Sequence, residues 1–205
     1  MSKIGLIDYG MGNIHSVKKA IENLEEEVLL IKSKLQISSC KALIIPGQGA
    51  FDPAIENLHK TGLIDEIKKW ICSGKSFMGI CLGLQILFEE SEEGNNKGIG
   101  IIKGKIKKIP SIKNQRIPHI GWCNLLPSKD SILLRKEEIN KWVYFDHSYF
   151  ALPNNKTFVT ASVEYGSIHL TAIVENENLI ACQFHPEKSG NIGQSLLHRW
   201  IQTIK

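Results

Sequence analysis

The stretch Phe77-Met78-Gly79-Ile80-Cys81-Leu82-Gly83-Leu84-Gln85 restricts the fold more than any other part of the chain. It reads as a buried strand from Ser76 to Ile80, a sharp turn with Cys81 at its apex, and a helix from Leu82 to about Glu89. Gly79 and Gly83 flank the cysteine at i−2 and i+2, the spacing of a strand-to-helix elbow that presents a nucleophile. Such a turn presses backbone against backbone, so a side chain at either flank would clash. The apex residue is held in a strained conformation with its sulfur exposed, at a helix start where a thiolate is favoured. The N–H of Leu82 then points to where an oxyanion would form. The competing reading is a buried structural cysteine after a core strand; both glycines favour the nucleophile.

The elements around this elbow predict an α/β fold. Lys3 to Asp8 is an apolar strand ended by Tyr9-Gly10, and Gly10-Met11-Gly12-Asn13 is a tight turn in which Asn13 can cap a helix from Ile14 to about Leu24. A dinucleotide fingerprint fails here, because His15 occupies the third glycine position and Lys32 stands where an acidic ribose ligand is wanted. Strands follow at Glu27 to Ile31 and Lys41 to Ile45, then Pro46-Gly47-Gln48-Gly49 and helices from Phe51 to His59 and Leu63 to Cys72. The glycines of residues 47–49 can be a plain turn, or can let backbone N–H groups approach a substrate. The order β-α-β-β-α-α-β-α predicts a mostly parallel or mixed central sheet with helices on both faces, a flavodoxin-like arrangement. The loops at 10–13, 47–49 and 79–83 each follow a strand and should share the carboxyl rim of that sheet.

Beyond Glu89 the texture changes. Residues 91–98 read as a polar loop, and Ile99 to Pro118 alternates isoleucine with lysine, as short strands with a solvated basic face would. Docking of an acidic or phosphate-bearing partner on that face is the sharper alternative. Pro118-His119-Ile120-Gly121-Trp122 reads as a rigid aromatic loop, with further strands at Lys141 to Phe145, Lys156 to Glu164, Ile168 to Val174 and Leu179 to Phe184. A helix from Ile192 to about Ile201 follows. Between the last strand and that helix stands His185-Pro186-Glu187. In an extended segment the first and third residues point to one side, and the proline stiffens it. His185 can then take the thiol proton of Cys81 while Glu187 orients the imidazole.

Three blocks, Pro46-Gly47-Gln48-Gly49, Gly79-Ile80-Cys81-Leu82-Gly83-Leu84-Gln85 and His185-Pro186-Glu187, resemble the signature blocks of class I, triad-type, glutamine amidotransferases. The resemblance spans residues 1–205 as one such domain. Tyr9 to Asn13, Pro118 to Trp122, His147-Ser148-Tyr149 and Gln183 to Gly190 narrow it to the glutaminase subunits of imidazole glycerol phosphate synthase. The resemblance implies that Cys81 forms a γ-glutamyl thioester, with His185 as base and acid and Glu187 orienting it. It implies an oxyanion hole from the N–H groups of Gln48, Gly49 and Leu82, and a glutamine site from Gly47, Gln85, His147, Ser148 and Tyr149. It further implies a heterodimer in which ammonia passes to a (β/α)₈ cyclase subunit acting on a phosphoribosyl-carboxamide nucleotide. Gly10, Met11, Gly12, Asn13, Pro118, His119, Gly121 and Trp122 would lie at that interface, and a flip of the Gln48 peptide would be the activating switch. Two residues depart from the pattern: Cys123 stands where an asparagine usually follows the tryptophan, and Asp146 precedes His147 where an apolar residue is usual. They leave the acceptor open, a surface sugar being the alternative to the histidine-pathway nucleotide.

Composition excludes several classes. A net charge of +4 is too small to argue for nucleic acid. Five widely spaced cysteines without a C-x-x-C pair suggest reduced thiols in the cytoplasm, not a disulfide framework or a zinc site. The histidines show no metal-ligand spacing, and neither metal nor cofactor is expected. No apolar run approaches a membrane span, and the N-terminus reads directly into a strand with no signal peptide.

Overall fold

A computed structural model describes residues 3–204; the reading of Met1 and Ser2 lies outside them. The first five strands of the main sheet come from the apolar runs anticipated above: β1 (Lys3–Ile7), β2 (Val28–Ile31), β3 (Cys40–Ile45), β4 (Phe77–Ile80) and, much later, β13 (Leu179–Cys182). They pair in parallel in the order β2-β1-β3-β4-β13. Three antiparallel strands extend the same sheet to eight: β12 (Ile168–Asn176), β11 (Val159–Tyr165) and the short β8 (Leu126–Pro127). All four residues of β4 and of β13 are buried, as expected of strands covered on both faces.

Helices cover the two faces. On one side α1 (Ile14–Glu22) and α5 (Gly190–Gln202) insert Val17, Ile21, Leu197 and Trp200 into a core with Leu6, Ile44 and Ile80. On the other, α2 (Phe51–Thr61) and α3 (Ile64–Cys72) bring Phe51, Leu58, Ile67 and Trp70 against Ile7, Ile45 and Phe77. Asn13 caps α1 as anticipated, its side-chain oxygen accepting from the Ser16 N–H at 3.2 Å.

Three expectations are corrected and one strand is added. The helix after the elbow, α4, is a single turn (Leu82–Gln85), and Phe88–Ser91 is strand β5. Ile86, Leu87 and Phe88 are fully buried, and the carbonyls of Ile86 and Leu87 accept from Ile99 and Ile101 N–H groups at 2.7 and 2.9 Å. Pairing with this later segment, invisible in local periodicity, overrides helix continuation. The supposed aromatic loop is strand β7 (His119–Asn124), zipped antiparallel to β9 (Trp142–His147). Strand β10 (Tyr149–Pro153) had no separate signal; it pairs with β6 (Ile102–Lys108), in which Ile102 and Ile106 are buried and Lys103, Lys105 and Lys107 alternate with them on the open face, as the alternation predicted. Finally, Pro186–Lys188 forms one turn of 3₁₀ helix and is not extended.

Candidate active site

The three glycine loops meet at the carboxyl ends of the parallel strands, and they meet as bare backbone. A Cβ on Gly12 would lie 3.2 Å from the Gly47 backbone, one on Gly47 would lie 2.6 Å from Gly83 N, and one on Gly83 would lie 2.0 Å from the Ile45 carbonyl oxygen. The Tyr9 hydroxyl adds a tie, donating to the Pro46 carbonyl at 2.8 Å. Burial raises the Tyr9 pKa, so the hydroxyl remains a donor.

Cys81 sits at the apex with φ +54° and ψ −109°, outside the regions open to ordinary L-residues. Its N–H donates to the Cys182 carbonyl at 2.7 Å, and its own carbonyl accepts from Leu84 and Gln85 N–H groups. The strain is therefore held by β13 on one side and α4 on the other. A single helical turn has little macrodipole, so the help for a thiolate expected from a long helix is small. What remains is local: the N–H groups of Leu82 and Gly83 begin the turn and have no acceptor within it.

His185 follows β13 and is buried. Its N–H donates to the Tyr144 carbonyl at 2.9 Å, and its carbonyl accepts from the Ser189 hydroxyl at 2.6 Å, which fixes the backbone. The 3₁₀ turn curls Glu187 back so that Oε1 meets the imidazole Nδ1 at 2.8 Å, both side chains being buried. Burial disfavours a charged ring, but the neighbouring Cys81 and Glu187 outweigh it and push the His185 pKa up to about 10. Among the described residues Nε2 has no partner within hydrogen-bond geometry; Cys81 lies outside that limit yet close enough for its charge to act. With Nδ1 tied to Glu187, Nε2 is the ring nitrogen open toward Cys81.

A cavity of about 340 Å³ opens beside Cys81. Gln48, Gly49, Leu82 and Gln85 line it, with Pro118 and the segment Asp146 to Tyr149 opposite. Gly47 packs under Leu82, behind this wall. Of the residues singled out for the partner surface, His119 is not on an open face: it is buried, its ring stacked on Phe145 at 4.9 Å, whereas Pro118 is exposed and also borders the cavity. Trp122 is 51% exposed, beside Ile120 at 60%.

The structure adds residues that motif reading passed over. Glu93, in the stretch read as a plain polar loop, borders the cavity and accepts from the Phe51 N–H at the start of α2. Burial raises its pKa. Gln183 is fully buried between Cys81 and Gln85. Cys123 completes a relay: its sulfur is 3.2 Å from His119 Nε2, His119 Nδ1 is 3.1 Å from His147 Nε2, and His147 Nδ1 is 2.8 Å from the Tyr149 carbonyl. Burial lowers the His119 and His147 pKa values to about 4 and about 3, so both rings are neutral. A carbonyl only accepts, so His147 donates to it, His119 donates to His147, and the Cys123 thiol donates to His119. The departure at Cys123 thus supplies the one donor that this chain of rings requires.

Comparison with known proteins agrees with this geometry. The family description Glutamine amidotransferase class-I matches residues 5–202. The chain is 65% identical over the full length of both sequences to the imidazole glycerol phosphate synthase subunit HisH of Prochlorococcus marinus subsp. pastoris. It is 48% identical to the protein of that name from a Synechococcus species, covering 98% of this chain and 94% of that one. In fold it is similar to a crystal structure of a glutamine amidotransferase (TM-score 0.76, 20% identity, 97% of each chain). It is also similar to a structure of PurLQS from Thermotoga maritima (TM-score 0.77, 19% identity, all of each chain). With a strained Cys81, a carboxylate-backed His185 and a whole-length family match, the chain belongs to the class I glutamine amidotransferases.

Proposed function

We propose that this chain, acting as one amidotransferase domain, hydrolyses the side-chain amide of glutamine through Cys81, His185 and Glu187. The observation that carries the reading is the pairing of Cys81, strained at the cavity wall, with His185, whose Nε2 is unpartnered among the described residues and whose Nδ1 is tied to Glu187. His185 takes and holds the Cys81 proton, and the sulfur attacks the amide carbon. Charge that moves to the amide oxygen meets the N–H of Leu82 and those of the Gln48-Gly49 backbone. Collapse expels ammonia, protonated by His185 Nε2, and leaves a thioester. A water then gives His185 a proton and attacks the thioester, releasing glutamate and restoring Cys81.

The cavity suits a small zwitterion. Gln85 spends both amide hydrogens inside the protein, on the Tyr149 carbonyl at 3.0 Å and Gln183 Oε1 at 3.2 Å, so its own oxygen is left as an acceptor for the cavity. Glu93 and Asp146 supply negative charge for the substrate ammonium. His147 and Ser148 shape the opposite wall, with the Tyr149 backbone. Gly49, at φ +118°, lets the Gln48 peptide rotate at little cost, which suits an activating flip.

The full-length likeness to imidazole glycerol phosphate synthase subunits supports a place in that synthase, and so in histidine biosynthesis. The ammonia then passes to a (β/α)₈ cyclase subunit, and the exposed Ile120 and Trp122 beside the cavity, with the loop Gly10 to Asn13, are the surface we assign to that partner. Five free cysteines agree with a cytoplasmic setting. The test is glutamate production by the chain alone and mixed with a histidine-pathway cyclase subunit and its nucleotide ligand. A weak basal rate that rises steeply only in the mixture supports the assignment. A rate that stays weak overturns the partner while sparing the chemistry, and no glutamate under any condition overturns both.

A further inference from the structure

Gln183 carries no role in the triad, yet its carboxamide is fully buried and touches the nucleophile. Its orientation follows from the chain of bonds around it. The Tyr149 carbonyl can only accept, so the Gln85 atom 3.0 Å from it is the amide nitrogen. That nitrogen is also 3.2 Å from the Gln183 side chain, which must present its oxygen there. The Gln183 NH₂ group is thereby turned to Cys81 Sγ, at 3.7 Å. A backbone bond from Gln183 N–H to the Ala172 carbonyl at 2.9 Å fixes the residue in the sheet. No rotation of the amide satisfies Gln85 and withholds the donor from the sulfur.

We propose that Gln183 is a positioning residue for the hydrolysis: its side-chain N–H holds the Cys81 sulfur in line with the cavity and favours its anionic form, while its oxygen anchors Gln85 in the cavity wall. The inference rests on Cys81 being the nucleophile. A donor aimed at a thiolate stabilises it relative to the thiol and restricts where the sulfur can swing. Because one amide serves both neighbours, the wall that receives the substrate and the atom that attacks it are held by the same group.

The test is alkylation of Cys81 by iodoacetamide across pH, followed by mass spectrometry of the Cys81 peptide in the full chain, for the wild type and for Gln183→Met and Gln183→Glu. Met keeps the volume and loses both bonds. Glu keeps the volume and the acceptor for Gln85, but replaces the donor with negative charge at the sulfur. A sulfur-directed role predicts that the alkylation midpoint moves to higher pH by about one unit in Met, a tenfold effect, and further in Glu. Glutamine turnover should show kcat falling at least as far in Glu as in Met. If Glu behaves like wild type, Gln183 is only a brace for Gln85 and the proposal is overturned; that comparison stands even if the Met variant does not fold. If wild-type Cys81 reacts no faster than the exposed Cys72, the nucleophile assignment itself fails.

Discussion

Replacing Cys81 by Gly and by Ala should invert the usual order of stability. At an ordinary position Gly is the worse residue, by about 0.5–1 kcal/mol of backbone entropy, and burying one methyl fewer adds about 0.8 kcal/mol. Cys81 is not ordinary. With φ +54° and ψ −109° it lies outside even the small left-handed region open to side chains, so the upper end of the range for stored strain applies, about 3 kcal/mol. Ala keeps that strain and Gly releases it. The difference leaves Gly the more stable variant by about 1–2 kcal/mol, or about 2–8 °C in Tm for a chain of this length. Denaturant unfolding and thermal melts of the two variants measure this directly, and neither should form glutamate. If Cys81→Gly is less stable than Cys81→Ala by the usual margin, the elbow stores no strain and the account of how the sulfur is presented is wrong.

Glu187→Gln should slow turnover by about two to four orders of magnitude, less than Cys81→Ala, because it orients and does not attack; an unchanged kcat would mean another group holds the imidazole. The His185 pKa is raised to about 10, so the folded state binds its proton more tightly than the unfolded chain. That stabilisation is complete below the ordinary histidine pKa and is lost as pH rises through about 10. The stability gap between wild type and Glu187→Gln should therefore narrow on going from pH 7 to pH 10, and a gap that widens would reverse the sign assigned to the pair. Gly83→Ala should fail to fold or lose more than about 3 kcal/mol, because its methyl would sit 2.0 Å from a backbone oxygen, and a stable, active variant would contradict the packing of the rim. Arg199→Met should cost about 1–2 kcal/mol with kcat intact, since Arg199 pairs with Glu138 at 2.8 Å and donates to the Leu133 carbonyl. That pairing holds the Glu138 carboxyl well below its ordinary range, so the loss should fade in acid.

What could be read from the chain was whatever local chemistry decides. The parallel strands are continuous apolar runs, three of them (β1, β3 and β4) running into glycine turns, and the elbow is recognisable from the spacing of its two glycines about Cys81. The misreadings share a different cause. Phe88–Ser91 and His119–Asn124 are strands only because distant segments offer them carbonyls and N–H groups, which no window of the sequence contains. Gln183 and Glu93 escaped for the same reason: one lies in a motif as a mere spacer before His185, the other in a polar stretch, and both gain meaning only when the rim closes around Cys81.

The histidines make the point most sharply, because three of them are buried within one wall of the molecule and only one is charged. His119 and His147 sit in apolar surroundings, stacked on or tilted against Phe145, and burial drives both to low pKa values. His185 is as buried, but it has Glu187 at 2.8 Å and Cys81 near its other nitrogen. Residue type is therefore silent about role here, and so is burial. Cys81 near one ring nitrogen and a carboxylate two positions away at the other decide which imidazole holds a proton, and the 3₁₀ turn at Pro186 lets the carboxylate reach it. By the same logic the neutral pair cannot substitute for His185: each has its only free acceptor already filled, His147 by His119 and His119 by Cys123. A variant lacking Glu187 should keep only a poorly oriented His185, without recruiting another base.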